Sequence, residues 1–346
     1  MTASKLRDDL GPPAGAIAAG LAALYLGLTV SGYDGIAALV AMYHGSLGSK
    51  DAIVSALLPR AVPLILIGLG LGVSFRAGAL NMGAEGQFYA GAIAATWAAL
   101  SLGSWSRLAA VPLVLIAGMV AGLLWALVPT LLRLRFGVLE VISTLLLNFV
   151  AEGLVSWMVQ GPMQESTHIY PQSDPIPAAA RLPVLPGARL HLGLAVALLL
   201  AGGLWLVGRR TLVGFQLRAA GANPLATRVI GGVDTRRLFA MALLGSAALA
   251  GLAGAGEIAG TTFALFQNLS PGYGFTAIAV ALLARLDPLA TVLTGLLFAA
   301  IEAGASAMQR EAGVPAVAAY MAEATITIVV LLADAARRRR TTAIEA

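Results

Sequence analysis

Apolar runs of about twenty residues follow one another along this chain, and a run of that length is suited to one thing above all, crossing a bilayer as a helix. A hydrocarbon core of about 30 Å takes about 20 residues at the helical rise. Ten stretches meet that requirement, some only if a break is accepted: 12–31, 52–75, 79–101, 108–132, 138–159, 190–208, 238–257, 258–284, 288–307 and 316–334. The runs are continuous and rich in Ala, Leu and Gly, whereas a membrane barrel would alternate over segments of about ten residues. With 59% hydrophobic and 11% charged residues the chain has too few polar groups to clothe a soluble surface, and it is no disordered chain either. The sequence therefore predicts an all-α polytopic membrane protein of about ten spans, forming a single membrane domain over 1–346. There is no cysteine, which excludes disulfide scaffolds and thiolate metal sites. No metal site and no cofactor is expected.

The basic residues orient the spans. With the N-terminus in the cytoplasm, sixteen of the 22 Lys and Arg fall on the inner side, among them Arg209, Arg210, Arg218, Arg228, Arg236, Arg237 and the run Arg337 to Arg340. That bias fits ten spans with both termini inside. It also accounts for the net charge of +5 without any nucleic-acid partner. The basic tail 335–346 reads as a cytoplasmic stop signal with a secondary role at anionic lipid.

Two polar loops interrupt the pattern. The outer loop 160–189 holds six prolines and predicts an irregular cap. The inner loop 209–237 contains Gly221-Ala222-Asn223-Pro224-Leu225-Ala226-Thr227-Arg228. Asn caps helices and Pro suits the first helical position, so a short helix should run from Pro224 to about Ile230 and end at Gly231-Gly232. Its apolar Leu225, Val229 and Ile230 suit either an ordinary connector or a peg for a cytoplasmic partner.

Two further interruptions are rich in glycine and polar residues, Arg76 to Gln87 and Gln267 to Gly274. If spans two to five recur as seven to ten, the offset of five spans makes the repeats inverted, and broken helices at matching places mark a substrate path. Charges in lipid are costly and usually face a cavity or a partner. Glu85, Glu140, Glu152, Glu257, Glu302 and Glu323 are the candidates. Glu85 either belongs to the path or acts as a structural lock, pairing with Arg76 or capping a helix. Asn148 either binds a polar ligand or joins two helices. Phe88, Tyr89, Tyr273 and Phe275 flank the breaks and either stack on a ligand or pack. Glu140 and Arg135 should lie at a solvated inner end. The glycine runs 68–72 and 251–256 read as helix-packing faces. No P-loop, HExxH or GxSxG pattern occurs, so a chain of this kind takes its energy from a partner or an ion gradient, and an enzyme is disfavoured.

Phe75-Arg76-Ala77-Gly78-Ala79-Leu80-Asn81-Met82-Gly83-Ala84-Glu85-Gly86-Gln87 resembles the signature of the permeases that serve branched-chain amino acid, ribose and nucleoside ABC importers. The stretch Asn268 to Leu283 resembles the nucleoside and simple-sugar branch, and Ala220 to Pro224 looks like that family's coupling helix. The resemblance spans about 55–335. It implies a type II ABC importer-like fold of ten helices, with an inverted repeat of spans two to five and seven to ten. It implies a second permease subunit (often a different chain), ABC ATPase subunits, an extracytoplasmic substrate-binding protein and a place in the bacterial inner membrane. It carries Gly221, Asn223, Pro224, Leu225, Ala226, Thr227 and Arg228 onto the ATPase contact. Asn81, Glu85, Gln87, Phe88, Asn148, Tyr273 and Phe275 go onto the translocation path. Nucleoside is the expected substrate, ahead of a ribose-like sugar and a branched-chain amino acid. A gradient-driven carrier of a small neutral solute, using Glu302 or Glu323, is the rival reading. One departure from the pattern, Ala284-Arg285-Leu286-Asp287-Pro288, leaves the inner end of span eight open.

Overall fold

The computed structural model describes residues 18–102, 105–187 and 189–315, with 321, 324, 325, 328, 329 and 332. The tenth expected span, Glu323 and the basic tail lie outside the described residues apart from those isolated positions. In chain order the helices are α1 (Ala18–Val30), α2 (Gly35–Ser46), α3 (Leu58–Arg76), α4 (Ala84–Ser101), α5 (Arg107–Phe136), α6 (Glu140–Gln160), α7 (Gly193–Arg210), α8 (Leu212–Ala222), α9 (Pro224–Gly231), α10 (Thr235–Glu257), α11 (Tyr273–Leu283) and α12 (Pro288–Glu311). Wide π-helical turns precede α3 at Ala52–Leu57 and extend α10 at Ile258–Thr262.

Among the described residues six helices are long and apolar enough to cross a membrane: Ala52–Arg76, α5, α6, α7, Thr235–Thr262 and α12. Helices α1 and α11 are apolar but shorter, and α4 has 18 residues. The expected eighth span, 258–284, resolves into a π turn, an irregular stretch and an eleven-residue helix. Helix α2 was not expected. It starts because the Asp34 carboxylate accepts the N–H groups of Ile36 and Ala37, an N-cap that the short apolar run concealed.

The chain divides into two compact units, residues 1–60 with 297–346, and residues 61–296. In the first unit α2 meets α12 through glycine: a side chain at Gly45 would overlap Ala307, and one at Gly304 would overlap Met42.

The second unit is built on α4, α5 and α10. Gly251 of α10 lies so close to Gly91 of α4 and to Gly118 and Gly122 of α5 that a Cβ at any of these positions would strike backbone. With lipid outside as apolar as the core, close backbone approach and dispersion hold such helices together. The glycine run 251–256 is thus a packing face, as its sequence indicates. In the run 68–72, Gly70 faces Ser246 and Gly68 faces Val280.

The loop between α6 and α7 is irregular, with one short 3₁₀ turn, Ala178–Ala180. It is tied to the segment after α10 by backbone bonds: Ser173 N–H donates to Leu265 O, Ile176 N–H to Phe263 O and Leu182 N–H to Ala259 O, each at 2.8 Å. Arg181 lies over the Phe263 ring at 4.6 Å. Glu165 accepts from Gln172, Thr167 and Tyr170, and those bonds hold its carboxyl below the usual carboxylate range. The C-terminal end of α11 closes with Arg285 and Leu286 both in the left-handed region (φ 52° and 61°). Asp287 then caps α12 at the amides of Leu289 and Ala290, and lies 3.9 Å from Arg209. That settles the departure noted at Ala284–Pro288.

Candidate functional site: a seam of broken helices and an exposed peg

Between α3 and α4 the chain leaves the helix in a turn at Ala77 and Gly78 and runs irregularly to Gly83, and the freed backbone groups need partners inside the protein. Asn81 supplies several. Its Nδ2 donates to Gln87 Oε1 at 2.8 Å and to Ser246 Oγ at 3.1 Å. Its Oδ1 accepts from Gln87 Nε2 and Gly83 N–H, both at 3.0 Å. Asn148 on α6 clamps the same turn: its Oδ1 accepts Gly86 N–H at 2.8 Å and its Nδ2 donates to Met82 O at 2.9 Å. Thr144, four residues earlier, accepts Met82 N–H at 3.2 Å. All are buried except the part-exposed Met82.

The second break, 263–272, meets the first through Glu85. Glu85 Oε2 accepts the N–H of Gly274 in the first turn of α11 at 2.6 Å. The Ser270 hydroxyl accepts the N–H groups of Gly272 and Tyr273 and also hydrogen-bonds the Glu85 carboxyl. A Cβ at Gly274 would collide with the Glu85 backbone, so only glycine permits this approach. The Phe88 ring meets Tyr273 edge-on at 5.8 Å between centroids, and both are buried.

The two motifs singled out in the sequence are therefore one seam. Of the seven path candidates, Asn81, Glu85, Gln87, Phe88, Asn148 and Tyr273 lie within it and only Phe275 is exposed, at 46%. Glu85 caps a helix and does not pair with Arg76, and Asn148 joins α6 to the turn before α4. Glu140 is corrected: it is buried rather than at a solvated end, and its partner is Arg133 at 3.2 Å rather than solvent. Glu302 is buried and partnered. Sequence reading missed Ser270, Thr144 and Ser246. A hydroxyl at N-cap spacing before Tyr273 was the available signal for Ser270; nothing local marks the other two.

In the loop 209–237, α9 forms as its sequence dictates. Asn223 Oδ1 accepts Ala226 N–H at 2.9 Å, Pro224 takes the first helical position, and Gly232 ends the helix at φ 61°. Leu225 and Val229 are 71% and 73% exposed. The peg is tied to the first break at Gly221, the penultimate residue of α8. A Cβ there would overlap the Arg76 carbonyl, and Gly78 lies against Gly221. A cavity of about 440 Å³ opens beside this contact, lined by Gly78, Arg133, Gly221, Pro224, Arg236 and Phe239.

Known proteins share this sequence over most of its length. A glucose ABC transporter permease protein of Haloferax volcanii is 36% identical over 95% of this chain and 89% of its own. A guanosine ABC transporter permease protein of Bacillus subtilis is 34% identical over 91% of this chain and 90% of its own. A nucleoside ABC transporter permease protein of Lactococcus lactis is 31% identical over 82% of this chain and 80% of its own. No solved structure gives a significant match. The apolar helices, the glycine-linked core and these relatives agree with a profile that matches residues 53–333, and the chain belongs to the family described as branched-chain amino acid transport system / permease component.

Proposed function

We propose that this chain is one permease subunit of an ATP-driven importer that moves a nucleoside or a simple sugar across the bacterial inner membrane, with both termini cytoplasmic. The observation that carries the reading is the exposed, Asn-capped helix α9, joined to the first break by the Gly221–Arg76 contact. An apolar, preformed peg on a basic inner face suits a protein partner, and the relatives named for guanosine, nucleoside and glucose permeases supply the substrate class. ABC ATPase subunits dock on Asn223 to Arg228, a second permease completes the path, and an extracytoplasmic binding protein delivers the ligand.

ATP-driven closure of the ATPases displaces α9, and the contact of Gly221 with Arg76 passes the displacement to residues 77–83. There Asn81, Gln87 and Asn148 hold the turn, while Glu85 and Tyr273 couple it to α11. In this mechanism the buried polar residues set the position of the path wall, and Phe275 faces the path itself. Uptake of labelled guanosine and glucose, in cells with the chain and without it, is the test. ATP-dependent uptake that is lost in the Pro224→Gly, Leu225→Asp double variant while ATP hydrolysis persists supports the reading. Uptake that follows the proton gradient at constant ATP, and ignores the double variant, overturns it in favour of a carrier.

A further inference from the structure

Helix α6 carries an acidic residue where a lipid-facing helix would carry none. Glu152 is exposed, and among the described residues no hydrogen-bond or ion-pair partner faces it. It sits about 18 Å along the helix from Glu140 and about 12 Å before Gln160, near the middle of the span. An acidic side chain held there against hydrocarbon costs several kcal/mol, so this part of the surface meets water or a polar group.

The helix has three stripes. Thr144, Asn148, Ala151, Val155 and Val159 are buried against the rest of the unit. Leu146, Val150 and Trp157 form a wholly apolar exposed back. Between them, at helical spacing, run Leu145, Phe149, Glu152 and Ser156. Phe149 is 64% exposed, Ser156 is half-buried, and a Cβ on the neighbouring Gly153 would meet open space. Glu152 also stands within electrostatic reach of Glu85 and Tyr89, so the stripe borders the seam.

We infer that Phe149, Glu152 and Ser156 form a ligand-contacting stripe in the water-filled path, selective for a neutral ring bearing adjacent hydroxyls. The aromatic face stacks on the ring, the Glu152 oxygens accept hydroxyl hydrogens, and Ser156 adds a donor and an acceptor. This combination suits a ribose or hexose ring and disfavours an anion. The inference rests on the importer reading for the nature of the path, but its test does not depend on what drives transport.

The native chain has no cysteine, so Glu152→Cys gives this chain a single thiol, and labelling in the assembled importer is read on this chain's band against the unmutated chain. A membrane-impermeant maleimide should modify that thiol, and millimolar guanosine or glucose should slow that modification. Leu199→Cys, at a 76% exposed apolar position on α7, is the lipid-facing control and should resist. In uptake, Glu152→Leu should raise KM about tenfold, the loss of one strong hydrogen bond, with Glu152→Gln falling in between. A thiol as inert as that at position 199 overturns the inference. So does modification that neither guanosine nor glucose slows, or unchanged KM in Glu152→Leu. Wild-type uptake that fails to follow ATP would instead count against the importer reading and leave the labelling result standing.

Discussion

The carboxyl of Glu85, at the start of α4, accepts the amide hydrogen of Gly274, at the start of α11, at 2.6 Å. Two helix N-termini separated by 189 residues are thereby held together. A helix N-terminus has unsatisfied N–H groups and a partial positive charge, so an acidic partner is favourable there. Glu85→Ala leaves the Gly274 amide buried and unpaired, which costs about 1–3 kcal/mol. The expected outcome is a lower thermal midpoint in detergent together with lost uptake. Glu85→Gln keeps an acceptor oxygen and should lie between Ala and wild type; equal midpoints for Ala and wild type would remove Glu85 from the seam.

Asn148 makes a second such joint, pairing with both Gly86 N–H and Met82 O. Asn148→Leu preserves much of the volume and strips both partners. It should destabilise by about 2–4 kcal/mol, since two buried polar groups lose their bonds. Asn148→Ala opens a cavity as well and should be no milder. Urea unfolding followed by tryptophan fluorescence would measure both, and a neutral Leu variant would refute the joint.

Gly251 marks the crossing of α4, α5 and α10. Gly251→Val drives methyl groups into the Gly118 and Gly122 backbone and should prevent folding or cost well over the ~1–3 kcal/mol of ordinary overpacking. Gly203, whose added Cβ meets nothing within 4 Å, should tolerate the same change. Size-exclusion profiles of the two variants should therefore differ, the first aggregated and the second like wild type.

His191 lies two residues before α7 with its ring against Gly193 and Gly260, and burial pushes its pKa down to about 4. Its Nδ1 accepts Gly193 N–H at 3.1 Å, a bond that protonation at that atom would break. The unfolded chain takes up the proton near pH 6.5 and the folded chain only near 4. Stability is therefore full above about pH 6.5 and falls as pH drops from there towards 4, by on the order of 3 kcal/mol. Thermal midpoints at pH 7.5 and 4.5 should differ, and His191→Gln should shrink that difference; an undiminished difference would place the titration elsewhere.

Local chemistry wrote much of this protein directly into its sequence. The spans are legible because hydrocarbon imposes a length and a composition on each helix separately. Helix α9 is legible because Asn223, Pro224 and Gly232 act on their own neighbours through cap, first-turn geometry and left-handed φ. The two breaks stand out because glycines and polar residues interrupt apolar runs. What the tertiary structure alone decided is which of those features meet. Glu85 could pair with Arg76, cap a helix or face a ligand; the placement of Gly274, far along the chain, made it a cap. Glu140 sits nearest Arg133 because the turn at Gly137 folds α6 back on α5. Glu85 stands in a glycine- and polar-rich break and Glu152 alone in an apolar run, yet only packing shows one sealed in the seam and the other left facing outward. A residue type sets what a side chain can do, but its partners come from contacts between distant segments, and no periodicity along the chain encodes those.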